Sequence, residues 1–249
     1  MNSFLAWFWY LPFIIHSPEI KTSNINNHSD STATALYRLC ELEERISFSV
    51  FQKSIEGIDL YKPKKSILTI VDFSVPSSQK RFFVIDLKAK KLLISTWVAH
   101  GKNSGLDLAD QFSNKMQSYQ SSPGFYKVGV PLQSPKHGIA LELIGLEKGI
   151  NDHAKQREII IHGAKYVSED FIKQYGRCGR SFGCPALPVE VMPQAVSLLA
   201  NGSLMYIHVI KPGKKTEIDA DKILFKVPSQ NLKEHFSFLD FLFMPVSLF

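Results

Sequence analysis

From Ser66 onward the chain changes period, and this change constrains the fold more than any other feature. Ile67-Leu68-Thr69-Ile70-Val71-Asp72-Phe73 and Arg81-Phe82-Phe83-Val84-Ile85-Asp86-Leu87 are short apolar runs. They are rich in the β-branched and aromatic side chains that suit a pleated sheet. Lys88 to Lys91 reads as a hairpin turn, and Leu92 to Ala99 as the returning strand. Further strands are expected at 125–130, 138–146, 157–161 and 204–210. Two helices interrupt them. Ser168 is the expected N-cap of the first, with Glu169 and Asp170 in the first turn, where acids complement the helix dipole, and Gly176 ends it. The second is expected from Val189 to Leu199, stopping at Asn201-Gly202. The pattern predicts a mainly β fold with helices.

Upstream, Leu36, Leu39, Cys40, Leu42, Ile46, Val50, Phe51 and Ile55 mostly recur at helical spacing. Two helices broken near Ser47 are expected, then a turn at Tyr61 to Lys65. Residues 17–33, rich in Ser, Asn and Thr, read as a linker, and 101–124 as a long irregular loop, a length that often carries function. Phe4 to Ile15 is an apolar run the size of a signal-peptide core, without basic residues before it or an Ala-x-Ala site after it. We read it as an export signal. The expected organisation is a signal-like segment and linker over 1–33, a helical segment over 34–65, a catalytic unit over 66–211, and a tail over 212–249 that is basic, then apolar and Phe-rich.

No uncharged apolar run reaches the roughly 20 residues of a spanning helix, which excludes a polytopic membrane protein. Contact of the apolar termini with a membrane surface stays open. The formal net charge of +6 permits an anionic partner without selecting one. No clustered basic and aromatic motif supports nucleic-acid binding.

Three cysteines, Cys40, Cys178 and Cys184, are too few for a disulfide scaffold. No Cys-x-x-Cys pair or His-Glu-x-x-His motif marks a metal site, so neither metal nor other cofactor is expected. The chemistry concentrates in Ile159-Ile160-Ile161-His162-Gly163 and Gly179-Arg180-Ser181-Phe182-Gly183-Cys184-Pro185. A His closing an apolar strand projects from a rigid support into a loop region. Cys184 lies between Gly183 and Pro185 on a constrained turn, a few residues before an expected helix start, where thiol pKa values fall. A thiolate beside an imidazole is a nucleophile for acyl transfer. On these two residues alone, a buried structural Cys and a core His are the competing reading.

The wider constellation resembles the active-site signature of the L,D-transpeptidase catalytic domain (YkuD-like) family, in its murein L,D-transpeptidase branch. The resemblance rests on His162-Gly163, a spacer, then Ser181-Phe182-Gly183-Cys184. Ser122-Pro123-Gly124-Phe125-Tyr126, Ala99-His100-Gly101-Lys102-Asn103-Ser104-Gly105, Lys136-His137-Gly138 and Cys184-Pro185-Ala186-Leu187-Pro188 add to it. It covers roughly 34–211. It implies a mainly antiparallel β sandwich or barrel-like sheet, and peptidoglycan stem peptides as substrate. Cys184 would attack the carbonyl after the third stem residue, with His162 as general base and acid. The Gly163 carbonyl would orient the imidazole, and the Gly183 and Cys184 amides would form the oxyanion hole, with Ser181 beside them. A periplasmic, cell-envelope location follows. An L,D-carboxypeptidase and a non-catalytic wall-binding domain are the alternatives.

The chain departs from the family pattern after the nucleophile, where Pro185-Ala186 replaces the usual Arg. Arg180 is the expected substitute for binding a substrate carboxylate, with His137 and Tyr166 as further substrate-binding candidates. Cys178 has two readings, a disulfide partner for Cys184 or an apolar core position. Cys40 reads as core. His100 and His137 are expected to line the cleft or orient loops. Oligomeric state is not legible.

Overall fold

The computed structural model describes residues 26–210. The signal-like segment, the polar stretch up to residue 25 and the apolar tail lie outside the described residues. Two helices, α1 (Asn26–Leu39) and α2 (Phe48–Tyr61), precede β1 (Ile67–Asp72), β2 (Phe82–Asp86), β3 (Lys91–Thr96), β4 (Gly124–Ser134), β5 (Gly138–Gly145) and β6 (Ile160–Gly163). Then come α3 (Glu169–Tyr175), β7 (Ala186–Leu187), a 3-10 turn at Val189–Val191, α4 (Met192–Leu199) and β8 (Leu204–His208). No helix among the described residues is long and apolar enough to cross a membrane.

The strands form one sheet in the order β3-β2-β1-β8-β4-β5-β6-β7. β1–β8 and β6–β7 are parallel, and the other pairings are antiparallel. Just past β3, Ala99 exchanges backbone hydrogen bonds with Ala186 of β7 (2.9 and 3.4 Å), so the two edges meet and the sheet nearly closes into a barrel. This agrees with the mainly β, barrel-like fold expected from the sequence.

β1 and β2 are buried on both faces, which explains their continuous apolar runs. Val71, Phe82 and Val84 face the interior, packing with Tyr126, Leu141, Ile161 and Met192 of α4. The alternate residues Leu68, Ile70, Phe83 and Ile85 face outward onto Leu42, Ile46, Val50 and Phe51 of the N-terminal helical layer. Ser47 caps α2 through the Val50 amide (3.4 Å), at the expected break between the helices. Ser168 and Gly176 cap α3 as expected.

Three elements depart from expectation. Helix α1 begins at Asn26, inside the stretch read as a linker. Its polar first turns have weak helical signal, but its C-terminal part carries Tyr37, buried on the α2 core, and tertiary packing supplies what propensity lacks. β6 starts at Ile160, because Asn151 to Glu158 coil into successive turns that end at Glu158 with positive φ. β7 holds two residues, too short to register as a periodic signal. The 101–124 segment is irregular, as expected, with isolated bridges at Gly101 and Gly105.

Candidate functional site

Strand β6 delivers His162 and β7 delivers the chain that follows Cys184. His162 pairs with Ala186 across the parallel ladder and with Ala140 of β5 on its other side. His162 is thus on the ladder, and Cys184 stands two residues before Ala186, in the bend that leads into β7. Both line one cleft of about 860 Å³, together with His137, Tyr166, Arg180 and Ser181.

The His162 ring is buried, and its Nδ1 is 3.0 Å from the Gly163 carbonyl. A carbonyl only accepts, so Nδ1 carries the proton and Nε2 is left with a lone pair, the tautomer a general base needs. Burial pushes the imidazole pKa down to about 4, opposed by the Gly163 carbonyl and reinforced by His137 and Lys136. His162 is therefore neutral at neutral pH. His137, at the β4–β5 turn, stacks on it with ring centroids 3.8 Å apart and planes 24° from parallel. Its own pKa is lowered by partial burial and by Lys136.

The cysteine turn is fastened from several sides. Ser181 Oγ donates to the Cys184 carbonyl (2.6 Å) and accepts from the Gly183 amide (3.0 Å). Ser121 Oγ donates to the Gly183 carbonyl (3.0 Å) and accepts from the Gly101 amide (3.0 Å). Gly183 has φ +124, and a Cβ there would sit 2.9 Å from the Gln120 carbonyl oxygen, so only glycine fits. The Gly183 amide, expected to face an oxyanion, is thus occupied by Ser181. The Cys184 amide makes no hydrogen bond to another residue among the described residues.

Cys184 is half-buried, and its Sγ is 3.7 Å from the Glu158 carbonyl; no hydrogen bond joins it to His162. Burial raises the thiol pKa, countered by the Ile160 backbone, Arg157 and its own backbone. The expected helix N-terminus is not what acts on this thiol, because β7 intervenes before the 3-10 turn.

Arg180 donates through NH1 to the carbonyls of Lys102 (2.9 Å) and Gly105 (3.0 Å), so half its fork ties down a loop while the side chain lines the cleft. The Tyr166 hydroxyl is pushed up to about 12, first by burial and then by Cys184. His100 lies outside the cleft: it is fully buried, with Nδ1 2.7 Å from the Arg81 guanidinium. That pair braces the loop whose His100 carbonyl accepts from the Ser181 amide. Cys178 is a free, fully buried thiol packed with Ala99, Val167 and Ala186, and Cys40 is likewise free and buried. The core reading of Cys178 holds, and no disulfide joins it to Cys184.

Sequence reasoning missed Arg157 and the Gln120-Ser121 segment, which reach the cysteine turn from a loop and from across the barrel rim. No periodicity or motif marks them. Among the described residues no group of His, Cys, Asp and Glu is placed to hold a metal ion.

Residues 42–208 match the model of the L,D-transpeptidase catalytic domain. Among solved structures, the chain is similar to an L,D-transpeptidase from Mycobacterium smegmatis, at 12% identity over 58% of this chain and 59% of that one, TM-score 0.37. It is similar to a variant of the helical cell shape determining protein Pgp2 from Campylobacter jejuni, at 14% identity over 65% and 52%, TM-score 0.39. A third is an L,D-transpeptidase from Stackebrandtia nassauensis, at 15% identity over 77% and 94%, TM-score 0.36. The chain thus spans little more than half the length of the first two. No curated protein matches.

Proposed function

Because the chain belongs to the L,D-transpeptidase catalytic domain family, we propose that it joins peptidoglycan stem peptides through a thioester at Cys184. The observation that carries this reading is the shared cleft lined by both His162 and Cys184, with the imidazole Nδ1 on the Gly163 carbonyl, the tautomer that leaves Nε2 able to act as a base.

The first step turns Sγ from the Glu158 carbonyl toward His162 Nε2, which takes the thiol proton. The thiolate attacks the carbonyl of the third stem residue. Negative charge gathers on that oxygen, where the Cys184 amide, which bonds no other residue among the described residues, can donate. The C–N bond breaks, and His162 returns its proton to the departing D-alanine amine. The amine of a neighbouring stem then attacks the thioester, gives its proton to His162 and releases Sγ as thiolate, which takes that proton back and restores the resting pair. Water in place of that amine gives the carboxypeptidase outcome. The free half of Arg180 suits a substrate carboxylate, and Tyr166, protonated at neutral pH, suits a hydrogen bond to the peptide. Such a substrate puts the working site in the cell envelope, periplasmic, with export through the N-terminal apolar segment.

Incubation with a purified tetrapeptide muropeptide, read by mass spectrometry beside Cys184→Ala under reducing conditions, tests this. Cys184-dependent loss of D-alanine is expected, and a dimer or a tripeptide identifies the acceptor. Folded protein with a free Cys184 thiol that yields neither product nor adduct overturns it.

A further inference from the structure

Arg157 lies five residues before His162, at the end of the coiled segment leading into β6. Its NH1 donates to the Ser113 carbonyl (2.7 Å) and Ser122 Oγ (2.5 Å). Its NH2 donates to Ser118 Oγ (3.2 Å) and the Gln120 carbonyl (2.5 Å). All four terminal N–H groups are thereby committed to the long irregular loop. Only Nε–H is without a hydrogen bond among the described residues. Among the described residues no carboxylate pairs with this guanidinium. A half-buried cation held by four neutral acceptors keeps its full charge for whatever lies next to it.

What lies next to it is the cysteine turn. NH2 is 3.3 Å from where a Cβ on Gly183 would stand, and Gln120, which Arg157 grips, touches the same point. Arg157 lines the cleft beside Cys184. Among charged side chains it is the one whose field favours the thiolate, while Glu158 opposes it. Backbone at Ile160 and at Cys184 itself also favours the thiolate, but these groups are neutral; the thiol has no hydrogen bond to the imidazole and no adjoining helix N-terminus, so Arg157 is the charge beside it.

We propose that the Arg157 guanidinium is the counter-charge for the Cys184 thiolate, held in place by its four hydrogen bonds to the 113–122 loop. The inference rests on the reading of Cys184 as the nucleophile. Arg157 is a positioning residue, and its planar fork is what lets one side chain both grip a loop and present charge, which a lysine ammonium does not reproduce. The other groups around this charge are Glu158 and Tyr166 facing the sulfur, Tyr126 facing the guanidinium, and His162, Lys136 and Arg180 across the cleft.

The test is the pH dependence of Cys184 alkylation by iodoacetamide, followed at peptide level by mass spectrometry, which needs no substrate. An opposite charge facing a titrating group shifts it by about one unit, so Arg157→Gln should raise the midpoint by that amount and slow alkylation roughly tenfold below it. Arg157→Lys should fall between, and Lys53→Gln, which removes a remote surface charge, should match wild type. An unchanged midpoint in folded Arg157→Gln, or equal shifts in the Gln and Lys variants, overturns the proposal. A readout on the wild-type protein covers a variant that does not fold. The Arg157 Nε–H resonance should titrate with the alkylation midpoint, and a flat resonance overturns the proposal equally. Failure of muropeptide turnover with an Arg157-dependent midpoint would sink the proposed function and leave this inference standing.

Discussion

Acidification should release the brace behind the cysteine turn. Arg81 NH2 is 2.7 Å from His100 Nδ1, and a guanidinium only donates, so Nδ1 must accept. The imidazole proton then sits on Nε2, facing the Gly105 carbonyl at 3.4 Å. A second proton on Nδ1 would destroy the Arg81 bond and set two cations together in a buried place. Burial first, and Arg81 next, hold the His100 pKa down to about 3. In the unfolded chain a histidine titrates near 6.5, so between these values the unfolded state binds a proton that the folded state refuses. The contribution to stability is whole above about pH 6.5 and is lost as pH falls toward about 3. At about pH 4.5 the loss is two units at ~1.36 kcal/mol each, less a few tenths already gone at neutrality, or about 2.5 kcal/mol. Urea unfolding of wild type and His100→Gln at neutral pH and at about pH 4.5 measures it. The variant keeps an acceptor for Arg81 and cannot titrate, and the His162 contribution is common to both. Wild type should lose about 2.5 kcal/mol more than the variant between the two conditions. Parallel losses would refute the reasoning, because they would mean His100 is protonated in the fold or exposed to water.

His137→Ala removes the ring stacked on His162 and admits water, so the imidazole pKa should rise from about 4 toward its ordinary value. The acid limb of kcat/KM against pH should move upward, and a limb that stays in place would rule out the stack as a tuning device. Gly183→Ala forces a side chain into positive φ and against the Gln120 carbonyl, which should cost about 1–3 kcal/mol in thermal or urea unfolding, with turnover largely lost. Ser121→Ala leaves the buried Gly101 amide and Gly183 carbonyl without a shared partner, and should destabilise by about 1–3 kcal/mol in the same assay.

Sheet residues were legible where burial is two-sided or the turns carry their own chemistry. Ile67 to Val71 and Phe82 to Ile85 read as strands because both faces are covered, and Ser168 and Gly176 bracket α3 because caps are local devices. Helix α1 and β7 were not legible, for opposite reasons. The first turns of α1 are polar and draw support from the packing of its far end, while β7 is two residues that exist as a strand only because β6 and Ala99 flank them. In both, long-range contact decides, and a local window does not contain it.

The same division runs through the site. His162, Gly163, Ser181, Gly183 and Cys184 are recognisable because each sits in a short motif whose spacing the chemistry dictates. The electrostatics around them do not follow from that same local view. A helix start a few residues beyond Cys184 pointed to a lowered thiol pKa, yet two strand residues intervene and burial raises it. The cation that acts on the sulfur stands 27 positions upstream, on a coil with no period, gripping a loop a further 35 to 44 positions away in sequence. The Gly183 amide shows the limit from the other side, since its donor is already taken by Ser181 two residues earlier. A motif singles out candidate reacting groups, while the charge and hydrogen-bond capacity left to them depend on neighbours brought in by the closure of the barrel. Arg81 and His100 carry this furthest: neither touches the cleft, but their pairing sets the loop from which Ser181, and through it the cysteine turn, is hung.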